Sequence, residues 1–200
     1  MGQPAVWSAP FHPAKDMAIR MMAKRDRRNI ILTGFMGTGK SFVGRQLAGR
    51  LGYEFVDVDA WIEAEAGMPI PQIFAAQGEA AFRELESRMV AQAASRTGCV
   101  IATGGGAIVN PQNLEALRRS GILIALTADA ETILSRIGNG EDRPMLLGGE
   151  KGERIRRLLA ERAPAYAKAD LSIDTSKRSP DEVVDRLVDL LSSYQGDAAQ

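Results

Sequence analysis

Histidine and cysteine are almost missing from this chain, with one of each in 200 residues, His12 and Cys99. His12 sits in a proline-dotted N-terminal stretch, which leaves no basis for histidine catalysis or a histidine metal site. A single cysteine excludes an internal disulfide framework and fits a reducing compartment. Cys99 lies in the apolar run "CVIAT" and reads as a small buried hydrophobe. Neither sign of charge is in excess: 25 Lys and Arg balance 25 Asp and Glu, so the basic surplus that nucleic-acid binding usually requires is absent. No apolar run approaches the ~20 residues that span a bilayer, and the N-terminal stretch lacks the apolar segment of a secretion signal. The expectation is a soluble, cytoplasmic protein with neither membrane nor nucleic acid as partner.

What is present suits one globular domain: 45% of residues are hydrophobic, enough for a single sizeable core. Residues 1–28 read as an extension expected to be disordered, with three prolines in "MGQPAVWSAPFHPAK" followed by the basic tract "RMMAKRDRR". Met17, Met21 and Met22 leave the natural start open. From Asn29 on, the β-branched runs "NIILT", "EFVDVD", "CVIAT", "ILIALT" and "LSIDT" alternate with helical patterns. Strands alternating with helices pair in parallel, so the fold expected over 29–193 is α/β, with a central parallel sheet of about five strands flanked by helices. "SPDE" announces the last helix, with Ser179 as cap, Pro180 in the first turn and Glu182 closing a capping box. Residues 194–200 read as a frayed tail.

The stretch "GFMGTGKS" carries Gly34, Gly39, Lys40 and Ser41 in the spacing glycine, four residues, glycine, lysine, serine. Placed between a strand and a helix, this is a phosphate loop whose glycines turn backbone amides onto phosphate and whose helix adds a positive dipole end. Lys40 would bridge the terminal phosphates, and Ser41 would ligate magnesium. The guanine-reading string Asn-Lys-x-Asp does not occur, which favours ATP over GTP. In "FVDVDAWIE", Asp57 and Asp59 stand two apart at the expected end of the second strand, so both carboxylates would face the crevice at the strands' carboxyl ends. One acid near the metal and one near an acceptor hydroxyl suits phosphoryl transfer to an alcohol; helix capping is the structural alternative.

In order and at similar spacing, "GFMGTGKSFVGRQLA", "FVDVDAWIE", "IFAAQGEAAFRELE", "ATGGGAI", "RPML" and "RAPAYAKAD" resemble the motifs of the shikimate kinase family. The resemblance implies a P-loop kinase fold with a mobile lid, about 139–152, and substrate-binding helices, about 59–95. It implies transfer of the γ-phosphoryl group of ATP to the 3-hydroxyl of shikimate, with Mg2+, by a monomer. Asp59 resembles the residue that holds the acceptor hydroxyl and acts as its base, and Asp57 an outer ligand of magnesium. Arg83 and Arg162 resemble two arginines that grip the substrate carboxylate, a match of planar fork to carboxylate. Gly104, Gly105 and Gly106 let backbone approach the substrate, Glu86 would orient Arg83 from three residues along the helix, and Phe74 and Phe82 resemble pocket walls. ATP contacts fall on Gly37, Thr38, Gly39, Lys40, Ser41 and Phe42, with Arg136 and Arg178 further along. Arg143, in "RPML", resembles the lid arginine that joins Lys40 and Asp59 in catalysis. The rival readings are a related kinase acting on gluconate or a nucleoside monophosphate, and a non-catalytic ATP-binding regulatory domain.

Overall fold

The computed structural model describes residues 17, 19–21, 23, 26–137 and 150–194. Five strands form one sheet: β1 (Asn29–Thr33), β2 (Glu54–Asp57), β3 (Cys99–Ala102), β4 (Gly121–Thr127) and β5 (Leu171–Asp174). They run in the order β2-β3-β1-β4-β5, and every pairing is parallel. Between them lie helices α1 (Lys40–Leu51), α2 (Val58–Ala66), α3 (Ile70–Ala94), α4 (Pro111–Ser120), α5 (Ala130–Ile137), α6 (Lys151–Tyr166) and α7 (Pro180–Ser193). The parallel α/β architecture expected from the alternating runs is the one the chain adopts.

The period of two along each strand divides the core. Ile31, Ile101 and Leu123 face the layer built from α2 to α6, while Ile30, Leu32, Val100, Ile122 and Ile124 face α1 and α7. Both sides being covered, β1 and β3 are buried throughout and show no polar alternation. The chain leaves β1 through α1 on one face and leaves β3 through α4 on the other. A crevice therefore opens beyond the carboxyl ends of these neighbouring strands, where ligands bind in open α/β sheets. Polar side chains pin the same strands from below. Asn29, fully buried, donates to the carbonyl of Arg96 at 2.7 Å and accepts from the amide of Cys99 at 3.0 Å.

Local signals end the elements where the sequence places them. Ser179 and Glu182 close the expected capping box on α7, with Pro180 in the first turn. The "IFAAQGEAAFRELE" segment is helical apart from Gly78, whose φ of 79° and ψ of 174° break the helical path inside α3.

The extension expected over 1–28 is docked at its C-terminal end. Its described residues from Met17 to Ala23 have helical backbone, and Ile19 and Ala23, four apart, are buried against the face covered by α1 and α7. Arg20 donates to the carbonyls of Arg50 and Gly49 at 2.9 and 3.1 Å, and so satisfies carbonyls at the end of α1. The basic tract masked this apolar pair in the sequence. Residues 1–16, 138–149 and 195–200 lie outside the described residues, and with them His12, most of the expected lid, Arg143 and most of the expected tail. Residues 151–152 of the expected lid already belong to α6. No described helix is long and apolar enough to cross a membrane.

Gly121, which opens β4 opposite Asn29, has no room for a side chain: a Cβ there would lie 1.9 Å from the Asn29 carbonyl oxygen. Its φ of 174° is ordinary extended backbone, so space alone makes the restriction. Gly121→Ala should lower the denaturant midpoint by the equivalent of about 1–3 kcal/mol through overpacking. An unchanged midpoint in urea titration would contradict this packing.

Candidate active site

The loop leaving β1 is shaped by two glycines. A Cβ on Gly34, at φ +135°, would fall 2.0 Å from the Leu126 carbonyl oxygen, and Gly39 reaches the start of α1 through φ 91°. No side chain caps α1, so its first amides and positive end stay available to an anion. Thr38 turns inward, its hydroxyl donating to the Phe35 carbonyl at 2.8 Å, and Lys40 folds back to the same oxygen at 3.0 Å. Gly37, Gly39, Lys40, Ser41 and Phe42 all line one cavity of about 780 Å³, and Thr38 contributes its buried structural bond instead.

The two acids meet that cavity by a different route from the one expected. β2 ends at Asp57, and Asp59 belongs to the first turn of α2, so the pair is not an alternating strand end. Asp57 is the N-cap, accepting from the Asp59 amide at 3.2 Å, which makes the capping alternative real for this residue. Both carboxylates still line the cavity. Among the described residues no group of three or more His, Cys, Asp or Glu could hold a metal. Ser41 and Asp57 fit a hard ion that takes its remaining ligands from phosphate oxygens and water, the manner of Mg2+.

Opposite the loop, four charged side chains converge on Gly104, Gly105 and Gly106, in the turn after β3. A Cβ on Gly104 would stand 2.8 Å from Glu86 Oε1 and 2.9 Å from Asp59 Oδ1. One on Gly105 would approach Arg162 Nη1 to 3.4 Å, and one on Gly106 would approach Arg83 Nη1 to 2.9 Å. The missing side chains thus make room for protein charges as well as for a ligand. Arg83 donates to Glu86 Oε2 at 2.7 Å, the ion pair expected at three-residue spacing, and Glu86 is only 2% exposed. Arg83 lies 5.1 Å above the Phe82 ring, and Phe82 packs on Phe74 at 4.6 Å between centroids, so the two phenyl groups serve both core and cavity wall. Arg162 is 6% exposed and lies 5.4 Å above the Phe35 ring. Tyr166, one turn further along α6, donates to the Gly105 carbonyl at 2.6 Å and fixes that turn.

Arg136 lines the cavity and is held by Gly37 O, Thr175 Oγ1 and Thr175 O at 3.3, 3.0 and 2.7 Å. Arg178 does not reach the cavity wall; it donates to the Asp174 carbonyl at 2.5 Å. Sequence reasoning missed Glu63, Pro69, Ile70, Pro71 and Thr103, all on the wall. Helical spacing from Asp59 would have found Glu63, whose Oε1 also accepts from the Ile70 amide at 3.0 Å. It also missed Tyr166, although its motif was in view.

A parallel α/β sheet with a phosphate loop at its switch point, facing a polar cavity floored by arginine and carboxylate, defines the small P-loop phosphotransferases. A family model described as Shikimate kinase matches residues 36–192. A shikimate kinase from Pelotomaculum thermopropionicum is 46% identical over 167 residues, covering 84% of this chain and 97% of that protein. The structure of a shikimate kinase from Acinetobacter baumannii in complex with shikimate superimposes with a TM-score of 0.84 at 36% identity, over 88% of this chain and 98% of that one. A gluconokinase from Sinorhizobium meliloti, at 18% identity and a TM-score of 0.53 over 83% of this chain and 92% of that one, shares the fold alone. The chain belongs to the shikimate kinase family, whose members are ATP-dependent phosphotransferases.

Burial raises the Glu86 carboxyl above the ordinary glutamate value, the Asp59 charge adds to this, and Arg83 opposes it. The same Arg83 is held charged by Glu86 and Glu79 against its own burial. Folded chain therefore binds the Glu86 proton more tightly than unfolded chain, so stability falls as pH rises between the ordinary and the raised value. Glu86→Gln, which cannot ionise, should lack this slope. The wild-type minus variant difference in unfolding free energy, measured by urea titration across that window, should decrease with rising pH; a pH-independent difference would contradict the assignment.

Proposed function

We propose that this chain transfers the γ-phosphoryl group of ATP to the 3-hydroxyl of shikimate. What supports the reading most is Arg162: a guanidinium 6% exposed, within reach of the Glu86 charge but in salt-bridge contact with no carboxylate among the described residues, on the wall of the cavity that also holds the phosphate loop. A buried cation of this kind calls for an anionic ligand. Arg83 stands on the same wall, so an acceptor bearing a carboxylate can be held between two forks while its hydroxyls face Asp59. Neither gluconate nor a nucleotide is favoured by any further observation, and a purely regulatory ATP-binding domain has no use for the paired arginines.

In this reading the α1 amides and Lys40 hold the β- and γ-phosphates, with Arg136 beside the loop. Bound Mg2+, held through Ser41 and Asp57, supplies charge neutralisation on the phosphate oxygens. Asp59 orients the acceptor hydroxyl and accepts its proton, with Glu86 close enough through the Gly104 gap to keep that proton's environment anionic. The acting unit is taken to be a monomer in the cytoplasm, as the family resemblance implies.

A coupled assay of ADP release should show activity that depends on shikimate and is not supported by gluconate or AMP; no shikimate-dependent release would overturn the reading. Asp59→Asn should lower kcat on the order of 10²- to 10⁴-fold with a smaller change in KM. Arg83→Lys replaces a fork with a point charge and should raise KM for shikimate about tenfold or more. An unchanged KM would remove Arg83 from the acceptor site.

A further inference from the structure

A second cavity, of about 380 Å³, lies behind the acceptor side of the first. Arg83, Glu86, Gly106 and Arg162 line both, so the two guanidinium groups form part of the partition between them. Glu79 lines only the rear cavity, whereas Asp59, Phe74 and Phe82 line only the front. Glu79 Oε1 accepts from Arg83 Nε at 3.3 Å and from Nη2 at 3.1 Å, and Glu86 Oε2 accepts from Nη1 at 2.7 Å.

Arginine has five N–H donors in a fixed plane. These two carboxylates engage three of them: the side edge formed by Nε and Nη2 and one hydrogen of Nη1. What remains is one N–H on each terminal nitrogen, the number a single carboxylate takes in two-point fashion. Gly106 adds no side chain against these two nitrogens, where a Cβ would lie 2.9 Å from Nη1 and 3.2 Å from Nη2. Glu79 owes its place to the break at Gly78, after which it opens the downstream helical stretch of α3, one turn before Arg83.

We propose that Glu79 is a positioning residue for acceptor binding: from the rear cavity it takes the side edge of Arg83 and thereby presents the remaining pair of N–H groups to the acceptor's carboxylate. This rests on the reading that Arg83 grips that carboxylate. Glu79 is more exposed than Glu86, and its contact with Arg83 is correspondingly weaker, so it tunes the fork that Glu86 anchors. An acid at the start of a helical stretch also favours the helix through its dipole, and that merely structural role would alter stability without separating KM from kcat.

A double-mutant cycle on the full chain distinguishes the two. Glu79→Gln should raise KM for shikimate roughly threefold to fivefold, with kcat and KM for ATP changed less than twofold. In an Arg83→Lys background, where no side edge exists, the same substitution should change KM for shikimate by less than about 1.5-fold. An unchanged or lowered KM in Glu79→Gln alone, or an equal rise in both backgrounds, would overturn the proposal. If Arg83→Lys itself leaves KM for shikimate unchanged, the assignment of the acceptor site fails. A raised KM in Arg83→Lys with no effect of Glu79→Gln removes Glu79 alone.

Discussion

The convergence of four charged side chains on three residues without side chains is the constraint from which the site follows. Glu86, at 2% exposure, and Arg162, at 6%, are charges withdrawn from water, and such groups persist only where pairing or hydrogen bonds offset the loss of hydration. Arg83 offsets Glu86 through a 2.7 Å contact, and the Phe35 ring and the Tyr166 hydroxyl surround Arg162. A Cβ on Gly104 would collide with Oε1 of Glu86 and Oδ1 of Asp59 and one on Gly106 with Nη1 of Arg83, whereas one on Gly105 would press on the Gly34 carbonyl at 3.3 Å and only touch Arg162. The glycines act here mainly by the volume they leave vacant.

The sheet supplies the other half of the geometry. Neighbouring strands β1 and β3 send their chains to opposite faces, so the phosphate loop and the glycine turn end up side by side across the crevice. The amide end of α1 points in from one side; α2 and α3 bring Asp59, Arg83 and Glu86 from the other, and α6 closes the floor with Arg162 and Tyr166. The phosphate loop and the charged cluster therefore face one another across one cavity without any element having to be long or strained. Arg136 adds a tie between the loop and β5's end, through Gly37 and Thr175.

Signals that depend on near neighbours in sequence were legible in the sequence alone. The phosphate loop, the Ser179 to Glu182 box, and the Arg83 to Glu86 pair are all local, and the structure contains each. The parallel sheet was legible too, since burial on both faces writes itself as uninterrupted apolar runs. The alternation in "VDVD" extends the expected strand to Asp59, whereas the capping carboxylate of Asp57 starts a helix inside it. Basic residues around Ile19 and Ala23 hide them in the sequence, and Arg20 opens the basic tract although its partners are carbonyls some 30 positions away. The rear cavity had no sequence signal at all, because it depends on how α3, α4's preceding turn and α6 approach each other.

Burial lifts the Glu86 carboxyl above its ordinary range although Arg83 pairs with it, and buried ion pairs of this kind often add no more stability than an apolar pair of similar volume. The charges make sense instead as preorganisation. Two guanidinium groups and two carboxylates set close together are balanced overall, with Glu86 held by Arg83 and Asp59 facing Glu86 across the Gly104 gap. In the proposed reading, an acceptor carrying both a carboxylate and a hydroxyl would be oriented by this cluster before any bond changes, and its carboxylate would give Arg162 a direct ion pair. Binding of that kind would offset the cost of burying these charges, and orienting the hydroxyl toward the phosphate loop would then require little rearrangement of the protein.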